Sequence, residues 1–126
     1  MAAIKSKNSK MEIRLRKALW SRGYRYRIHD KKLLGKPDIV LKKYRLIIFC
    51  DSDFWHGYEF GNIKKKLRSN KDYWIKKIQR NIERDKYVTN KLKKQGWTVL
   101  RFWEHEINKD ISKCIEKIEK VIKNGN

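Results

Sequence analysis

The sequence predicts a single mixed α/β domain, residues 1–126, in which one mixed sheet is packed between helices. Its length of 126 residues is that of one domain. Amphipathic helical patterns alternate with short runs rich in β-branched and aromatic residues. Their order is helix, strand, strand, strand, helix, strand, helix, which suits a sheet flanked by helices.

The first helix is predicted to begin after Ser9. Ser9 and Glu12 have the capping-box form Ser-x-x-Glu, and Gly23 ends the pattern. The alternative is that Glu12 does no more than cap this helix. Residues 24–28 alternate apolar and basic side chains, which predicts a half-exposed strand followed by a polar loop. The apolar face of the helix consists of Met11, Leu15, Ala18 and Leu19.

Residues 35–56 predict a β-hairpin. The apolar run 39–41 gives its first strand, and residues 45–49 give its second. Lys42 and Lys43 form the turn between them.

This hairpin brings acidic side chains together. In an antiparallel pair the start of one strand lies beside the end of the next, so Asp38 and Asp51 should converge, with His56 nearby. Clustered carboxylates suit Mg²⁺, a hard ion that prefers oxygen ligands. The alternative is that Asp51 and Asp53 only cap strand ends and face water.

Residues 57–71 predict a Gly- and Lys-rich connection, a type of segment that often binds ligands. A long helix should run from Asp72 to Gln95, closed by Gly96. Asp85 falls on its apolar stripe, so it either pairs with a buried base or faces a site. The stripe consists of Ile75, Ile78, Ile82, Thr89 and Leu92.

The chain is predicted to finish with a strand and a helix. Residues 97–103 form the strand, which ends at residues 104–106. Asp110 caps the last helix, whose apolar residues repeat at helical spacing. These residues are Ile111, Ile115, Ile118 and Ile122.

The charge is strongly positive, with 34 Lys and Arg against 14 Asp and Glu. Residues 64–94 hold 13 of the basic residues and three acids, interleaved with Tyr73, Trp74 and Tyr87. Such a surface favours nucleic acid as the partner, through phosphate contacts and base stacking. The alternative is a solvated lysine-rich face with Trp74 in the core.

Other classes of protein are disfavoured. No apolar run is long enough to span a membrane, and no apolar signal core opens the chain, so we expect an intracellular protein without a membrane partner. Cys50 and Cys114 have no metal-ligand or redox spacing and are interpreted as reduced and structural. Zinc is poorly supported, because His29, His56 and His105 are scattered and no Cys-x-x-Cys occurs.

Acids at a sheet edge beside a basic surface predict metal-dependent phosphodiester hydrolysis. One or two Mg²⁺ ions would polarise the phosphate and activate a water. His56 would move a proton to or from the water or the leaving oxygen, although a lone histidine is more often structural.

The sequence also resembles the very-short-patch mismatch-repair (Vsr) endonucleases, within the restriction-endonuclease-like superfamily. The resemblance covers residues 1–107. The matching residues, in order, are Gly35-Lys36-Pro37-Asp38, Tyr44-Arg45, Ile47-Ile48-Phe49, Phe54-Trp55-His56, Tyr73-Trp74, Lys77, Asn81-Ile82-Glu83-Arg84-Asp85, Gly96-Trp97, Val99-Leu100 and Trp103-Glu104.

The resemblance implies a restriction-endonuclease-like αβββαβα core and Mg²⁺-dependent nicking of double-stranded DNA beside a T:G mismatch. Asp38 matches the metal-binding aspartate, and Glu12 matches an acid that reaches the metal through water. Cys50 matches a residue whose backbone carbonyl contacts the metal. His56 matches the catalytic histidine, and Asp85 an acid near the site.

Further positions match residues that contact DNA. Phe54, Trp55 and Trp74 match aromatics that wedge into the base stack, and Lys77 and Asn81 match residues that recognise the mismatch. To these we add Lys64, Lys65 and Lys66 as phosphate-binding candidates on charge alone.

Three departures from the family pattern matter. Asp51 replaces a second histidine and is therefore a candidate catalytic group and direct metal ligand. The family's structural zinc ligands are replaced, so we predict no zinc; their positions hold Asp53, Tyr58, Phe60 and His105. The chain starts at Met1, where members usually carry a further DNA-gripping arm, which bears on mismatch specificity more than on cleavage.

The resulting prediction is a Mg²⁺-dependent DNA endonuclease of the bacterial cytoplasm and nucleoid. It would have no small-molecule substrate and would work with the mismatch-repair or DNA-methylation machinery. Two alternatives stay open: a homing, restriction or defence nuclease on matched DNA, and a non-catalytic DNA-binding module. The recognition site, nicking as against double-strand cutting, and the oligomeric state are not determined by the sequence.

Overall fold

The computed structural model describes residues 9–124, so the predicted limits 1–126 extend past it at both ends. Five α-helices, one short 3₁₀ helix (Lys42–Tyr44) and four strands make up this part of the chain. The helices are α1 (Lys10–Ser21), α2 (Phe60–Lys66), α3 (Lys71–Lys94), α4 (Glu104–Lys109) and α5 (Ile111–Asn124). The strands are β1 (Arg27–Ile28), β2 (Ile39–Leu41), β3 (Leu46–Asp51) and β4 (Thr98–Trp103).

The strands form one mixed sheet in the order β1-β2-β3-β4. The hairpin β2–β3 is antiparallel, with Ile39 opposite Ile48. Strands β3 and β4 are parallel, with Asp51 opposite Trp103, and α2 and α3 provide the crossover that a parallel pair needs. The start of β2 and the ends of β3 and β4 therefore lie side by side at one end of the strands, which is the edge of the sheet predicted to carry the site.

Helices cover both faces of the sheet, which confirms the predicted fold class. Side chains alternate along β3, as they must in a strand. Ile48 and its same-face neighbours pack with Leu15 of α1 and Ile115 of α5. On the other face, Phe49 packs with Val88 of α3. Each fully buried Leu or Ile in these layers contributes about 1.5–3 kcal/mol relative to exposure.

Three sequence predictions need correction. The connection 57–71 contains helix α2, and residues 104–106 begin helix α4 instead of only ending a strand. The predicted strand 24–28 shrinks to β1, because the hydroxyls of Tyr24 and Tyr26 bond to Glu119 and to the carbonyl of Arg16. These tyrosines pack on the helical layer and do not extend the sheet.

The long helix α3 begins and ends one residue before the predicted limits. Among the described residues, no helix combines the length and the apolar character needed to cross a membrane.

Candidate active site

Asp38 lies immediately before β2 and faces the end of β3. The backbone N–H of Cys50 donates to its Oδ2 at 2.7 Å. The pKa of Asp38 is raised to about 6: burial is the largest cause and the charges of Glu12 and Asp51 add to it, against the lowering effects of this hydrogen bond and of His29. Asp38 and Asp51 thus converge as the hairpin predicts, and Asp38 sits where a cation would relieve repulsion.

Glu12, in the first turn of α1, is directed toward Asp38. Its N–H donates to Ser9 Oγ at 3.4 Å, so Ser9 does cap the helix. The Glu12 carboxylate is buried and does not complete a capping box. Instead its Oε2 lies 2.5 Å from His29 Nε2 and 3.9 Å from Arg16 Nη1.

Glu12, His29 and Asp38 form what we call the Asp38 cluster. One ligand atom from each residue lies within 4.8 Å of the others, which is close enough to hold a metal ion. Sequence analysis placed Glu12 and Asp38 here but not His29. The hydrogen bond from His29 N–H to the Asp38 carbonyl, at 3.3 Å, extends the β1–β2 pairing and brings His29 into the site.

Asp51, His56 and Asp85 form a second group on the α3 side of the sheet, the Asp51 cluster. His56 Nδ1 lies 2.5 Å from Asp85 Oδ2 and 3.6 Å from Asp51 Oδ1. Burial lowers the pKa of His56, but the hydrogen bond to Asp85 and the charge of Asp51 outweigh it, so the net pKa is raised. His56 therefore stays protonated to a higher pH than an ordinary histidine.

Arg101 of β4 provides the Asp51 cluster with a fixed positive charge. Its Nη1 lies 3.0 and 3.2 Å from the two Asp51 carboxylate oxygens, and its Nε donates to Thr89 at 2.8 Å. Its guanidinium lies 4.0 Å from the centre of the Phe49 ring, and Nη1 is 3.6 Å from Asp85 Oδ1. Burial still raises the pKa of Asp51, against the charges of Arg101 and His56.

Sequence reasoning missed Arg101, although a signal was present. A charged residue inside the apolar strand run 97–103 needs a partner, as does Asp85 on the apolar stripe of α3. The first alternative for Asp85, pairing with a buried base, matches its contacts with Arg101 and His56.

Cys50 is buried in the layer that faces α1. Burial raises the pKa of its thiol well above the ordinary value, so the sulfur stays neutral and is a poor ligand for a hard ion. Its backbone carbonyl stays the predicted metal contact.

The segment after β3 is pressed against α3, and this fixes the position of His56. Gly57 has a φ of +75°, and a Cβ built there would lie 2.6 Å from the Ile82 side chain. Only glycine combines this left-handed backbone with so close an approach. A larger residue at position 57 would displace His56 from Asp85.

Phe54, Trp55 and Trp74 form an aromatic cluster next to the Asp51 cluster. The ring centroids are 4.9 Å apart for Phe54 and Trp55, and 5.3 Å for Trp55 and Trp74. Phe54 is 36% exposed. Asn81 Nδ2 donates to the Trp55 carbonyl at 2.8 Å, so Asn81 fixes the backbone of this cluster.

Comparison with known proteins identifies the family. The family model for DNA mismatch endonuclease Vsr matches residues 1–62. The type II nicking enzyme V.NmeDIP of Neisseria meningitidis serogroup C is 43% identical over 98% of this chain and 83% of its own length. The chain belongs to the Vsr endonuclease family. It is accordingly a DNA endonuclease, and the predicted resemblance is confirmed.

Two further relatives show the range of the match. The type II nicking enzyme V.HpaIIP of Haemophilus parainfluenzae is 42% identical over 96% of this chain and 86% of its own length. The DNA mismatch endonuclease Vsr of Escherichia coli K12 is 36% identical over 82% of this chain and 66% of its own length.

The positions at which the Vsr resemblance places zinc ligands hold a different arrangement here. Asp53 Oδ1 lies 3.0 Å from His105 Nδ1, and the Tyr58 ring lies 4.3 Å from the His105 ring. Phe60 instead begins α2 and lies under the Lys64 ammonium at 4.8 Å. Asp53 therefore joins the segment after β3 to α4.

The predicted basic residues lie on two helices of this Vsr-family chain. Lys65 and Lys66 are exposed in the last turn of α2, and Lys64 is half-buried beside them. Lys77, on α3, lines a shallow cavity together with Tyr73, Lys76 and Arg80. Their roles in DNA binding stay predictions.

Proposed function

We propose that this protein nicks one strand of double-stranded DNA at or near a T:G mismatch, with a divalent cation, Mg²⁺, at Asp38. The observation that carries the proposal is the Asp38 cluster. The half-buried carboxylate of Asp38, whose pKa is raised to about 6, adjoins the buried carboxylate of Glu12 at the end of the sheet where the aromatic cluster also lies.

The donor set fits Mg²⁺. Asp38, Glu12 and the Cys50 carbonyl offer oxygen atoms, which a hard divalent ion prefers. Asp38 Oδ1 accepts no hydrogen bond from the described residues, so one oxygen is available. When bound, the ion supplies Lewis-acid polarisation of the phosphate and a water of lowered pKa.

Each cluster then has its own task. Asp38 would hold the ion directly, and Glu12 would orient a water on it. Arg101 already forms an ion pair with Asp51, so we place the cation at Asp38 and do not use the predicted role of Asp51 as a metal ligand. His56, kept protonated by Asp85 and Asp51, would donate a proton to the oxygen that leaves as the phosphorus–oxygen bond breaks.

The aromatic cluster supports recognition of distorted DNA. Exposed Phe54 with Trp55 behind it suits insertion between base pairs, which is easiest where pairing is already weak, as at a mismatch. Asn81 would act by holding Trp55, through the hydrogen bond to its carbonyl. Partners in mismatch repair or DNA methylation are proposed on the resemblance alone.

The experiment is nicking of a labelled duplex with one T:G pair beside its matched T:A control, in Mg²⁺ and in EDTA. The natural protein and Asp38→Asn are compared. Mg²⁺-dependent nicking of the T:G duplex alone supports the proposal. Equal cutting of both duplexes keeps the metal site and assigns the protein to nucleases of matched DNA. Binding without cutting leaves a DNA-binding module.

A second experiment tests where the DNA backbone lies. We expect the triple alanine variant of Lys64, Lys65 and Lys66 to lower the slope of log affinity against log salt by roughly 2–3, since each phosphate contact contributes about 0.9. The matched control removes the same charge from Lys91, Lys93 and Lys94, in the last turn of α3. Equal changes in both variants would place the DNA elsewhere.

A further inference from the structure

His29 has an unusual backbone that directs it into the Asp38 cluster. It follows β1 with a φ of +48°, the left-handed region, which few residues other than glycine adopt. Its N–H bonds to the Asp38 carbonyl across the β1–β2 pair. The side chain is 16% exposed. Strained conformations of this kind persist when the surroundings hold them, and they are concentrated at functional sites.

The contact between His29 and Glu12 has the geometry of a hydrogen bond. Nε2 and Oε2 lie 2.5 Å apart. Two ligand atoms on one octahedral Mg²⁺ would be about 3 Å apart, given bonds of about 2.1 Å. The observed separation is that of a hydrogen bond, so we assign Nε2–H as the donor to Glu12 and do not place an ion between the two atoms.

This hydrogen bond determines which oxygen of Glu12 is available. Both His29 and Arg16 approach Oε2, at 2.5 and 3.9 Å. Oε1 accepts no hydrogen bond from the residues that the structure describes. Because the carboxylate is almost fully buried, a donor that fixes one oxygen also fixes the direction of the other.

We propose that His29 is a positioning residue for the metal site, whose Nε2–H holds Glu12 so that Oε1 orients a water on the cation at Asp38. The proposal rests on the proposed function and names a residue that sequence reasoning did not assign. It also explains why a histidine occupies a left-handed position beside the metal-binding aspartate.

The test is a double-mutant cycle on Mn²⁺ affinity, measured by electron paramagnetic resonance without DNA. The variants are His29→Ala, His29→Gln, Glu12→Gln and the double variant His29→Ala/Glu12→Gln. Glutamine retains an N–H donor that reaches about as far as Nε2. The matched control is His105→Ala, which removes the other histidine–carboxylate contact, with Asp53.

We expect His29→Ala to weaken Mn²⁺ binding roughly tenfold, as is usual for groups that orient a metal site. His29→Gln should restore most of the affinity, His105→Ala should leave it unchanged, and the double variant should bind no more weakly than Glu12→Gln alone. Full additivity in the double variant, or no effect of His29→Ala, would overturn the proposal. So would nitrogen hyperfine coupling to bound Mn²⁺, which would make His29 a direct ligand.

Single-turnover nicking of the same variants separates this proposal from the proposed function. If the Mn²⁺ cycle behaves as expected but no duplex is nicked, the assignment of His29 stands and the function fails. If the natural protein nicks but neither Mn²⁺ affinity nor rate depends on His29, the function stands and the assignment fails.

Discussion

The Asp38 cluster and the Asp51 cluster contain the same residue types but differ in the positive charge that lies beside their aspartates. Each has two carboxylates and a histidine, with a 2.5 Å contact between the histidine and one acid. The guanidinium of Arg101 lies 3.0 Å from Asp51 in the Asp51 cluster, whereas the pKa of Asp38 is raised to about 6 by burial and by neighbouring acids. The types of ligand residue alone therefore do not define a metal site. Whether a positively charged side chain already pairs with the carboxylates also determines whether they would bind a cation.

Asp38→Asn should give the largest effect on activity, and it should change activity and stability in opposite directions. Without its carboxylate the proposed cation would be lost, and we expect nicking to fall on the order of 10³-fold, about 4 kcal/mol of transition-state stabilisation. The same change should raise the free energy of unfolding at pH 7 in EDTA by roughly 1–3 kcal/mol, because a carboxylate with a raised pKa is destabilising when ionised.

The measurements are single-turnover nicking and urea unfolding, with Asp110→Asn as the matched control. Asp110 is exposed and accepts a hydrogen bond from Lys113 N–H, which asparagine retains. Loss of stability in Asp38→Asn, or unchanged nicking, would remove Asp38 from its proposed role.

Arg101→Met tests the fixed cation of the other cluster. The change leaves Asp51 buried without its closest positive partner, so we expect the free energy of unfolding to fall by about 3 kcal/mol. Adding Asp51→Asn should recover much of this loss, since the stranded charge is then gone. The measurement is urea unfolding at pH 7 in EDTA.

The matched control is Arg22→Met, which breaks an exposed ion pair with Glu119. Exposed pairs contribute about 0–1 kcal/mol, so this variant should be nearly neutral. Equal losses in Arg22→Met and Arg101→Met would show that Arg101 contributes no more than a surface arginine.

Mg²⁺ affinity should depend on pH through Asp38. Its pKa in the folded protein is raised to about 6, and only the ionised form binds a cation. Affinity should therefore be constant above about pH 7 and fall as the pH drops through 6, by up to about tenfold per pH unit.

Asp51→Asn sharpens this expectation, because the Asp51 charge contributes to the raised pKa of Asp38. The decline should move to lower pH in that variant. Calorimetric titration with Mg²⁺ between pH 5 and pH 8 measures both effects. An affinity that stays flat over this range would contradict the assignment of the metal to Asp38.

Much of the fold could be predicted from local pattern. The hairpin followed from two apolar runs around a lysine turn, and it placed Asp38 beside the end of β3. The long helix followed from its apolar stripe. Helix α2 was missed because it carries no such stripe and begins after Glu59, which has a left-handed backbone and no side-chain cap.

The candidate-site residues that lie close together in the sequence could be predicted. Those that tertiary structure brings to the site could not. Asp38, Asp51 and His56 lie on one hairpin and the segment after it. Arg101 reaches Asp51 only because β4 pairs in parallel with β3 after a long crossover. His29 enters the site through a backbone conformation at the end of β1 that the sequence does not specify.

The smallest expected effect concerns His56. Its pKa is raised through Asp85 and Asp51 against the lowering effect of burial. Asp85→Asn should therefore lower the pKa of His56, and with it the pH above which nicking by a protonated His56 declines. The ring proton shifts of His56 in a pH titration by nuclear magnetic resonance measure this. Asp53→Asn is the matched control, since Asp53 contacts His105 and not His56.

The raised pKa of His56 also affects the stability of the fold. A histidine whose pKa is raised in the folded protein stabilises the fold below its ordinary pKa, and that stability is lost as the pH rises through the folded-state pKa. Asp85→Asn should therefore move this loss of stability to lower pH. An unchanged His56 titration would mean that Asp85 positions the ring without holding its proton.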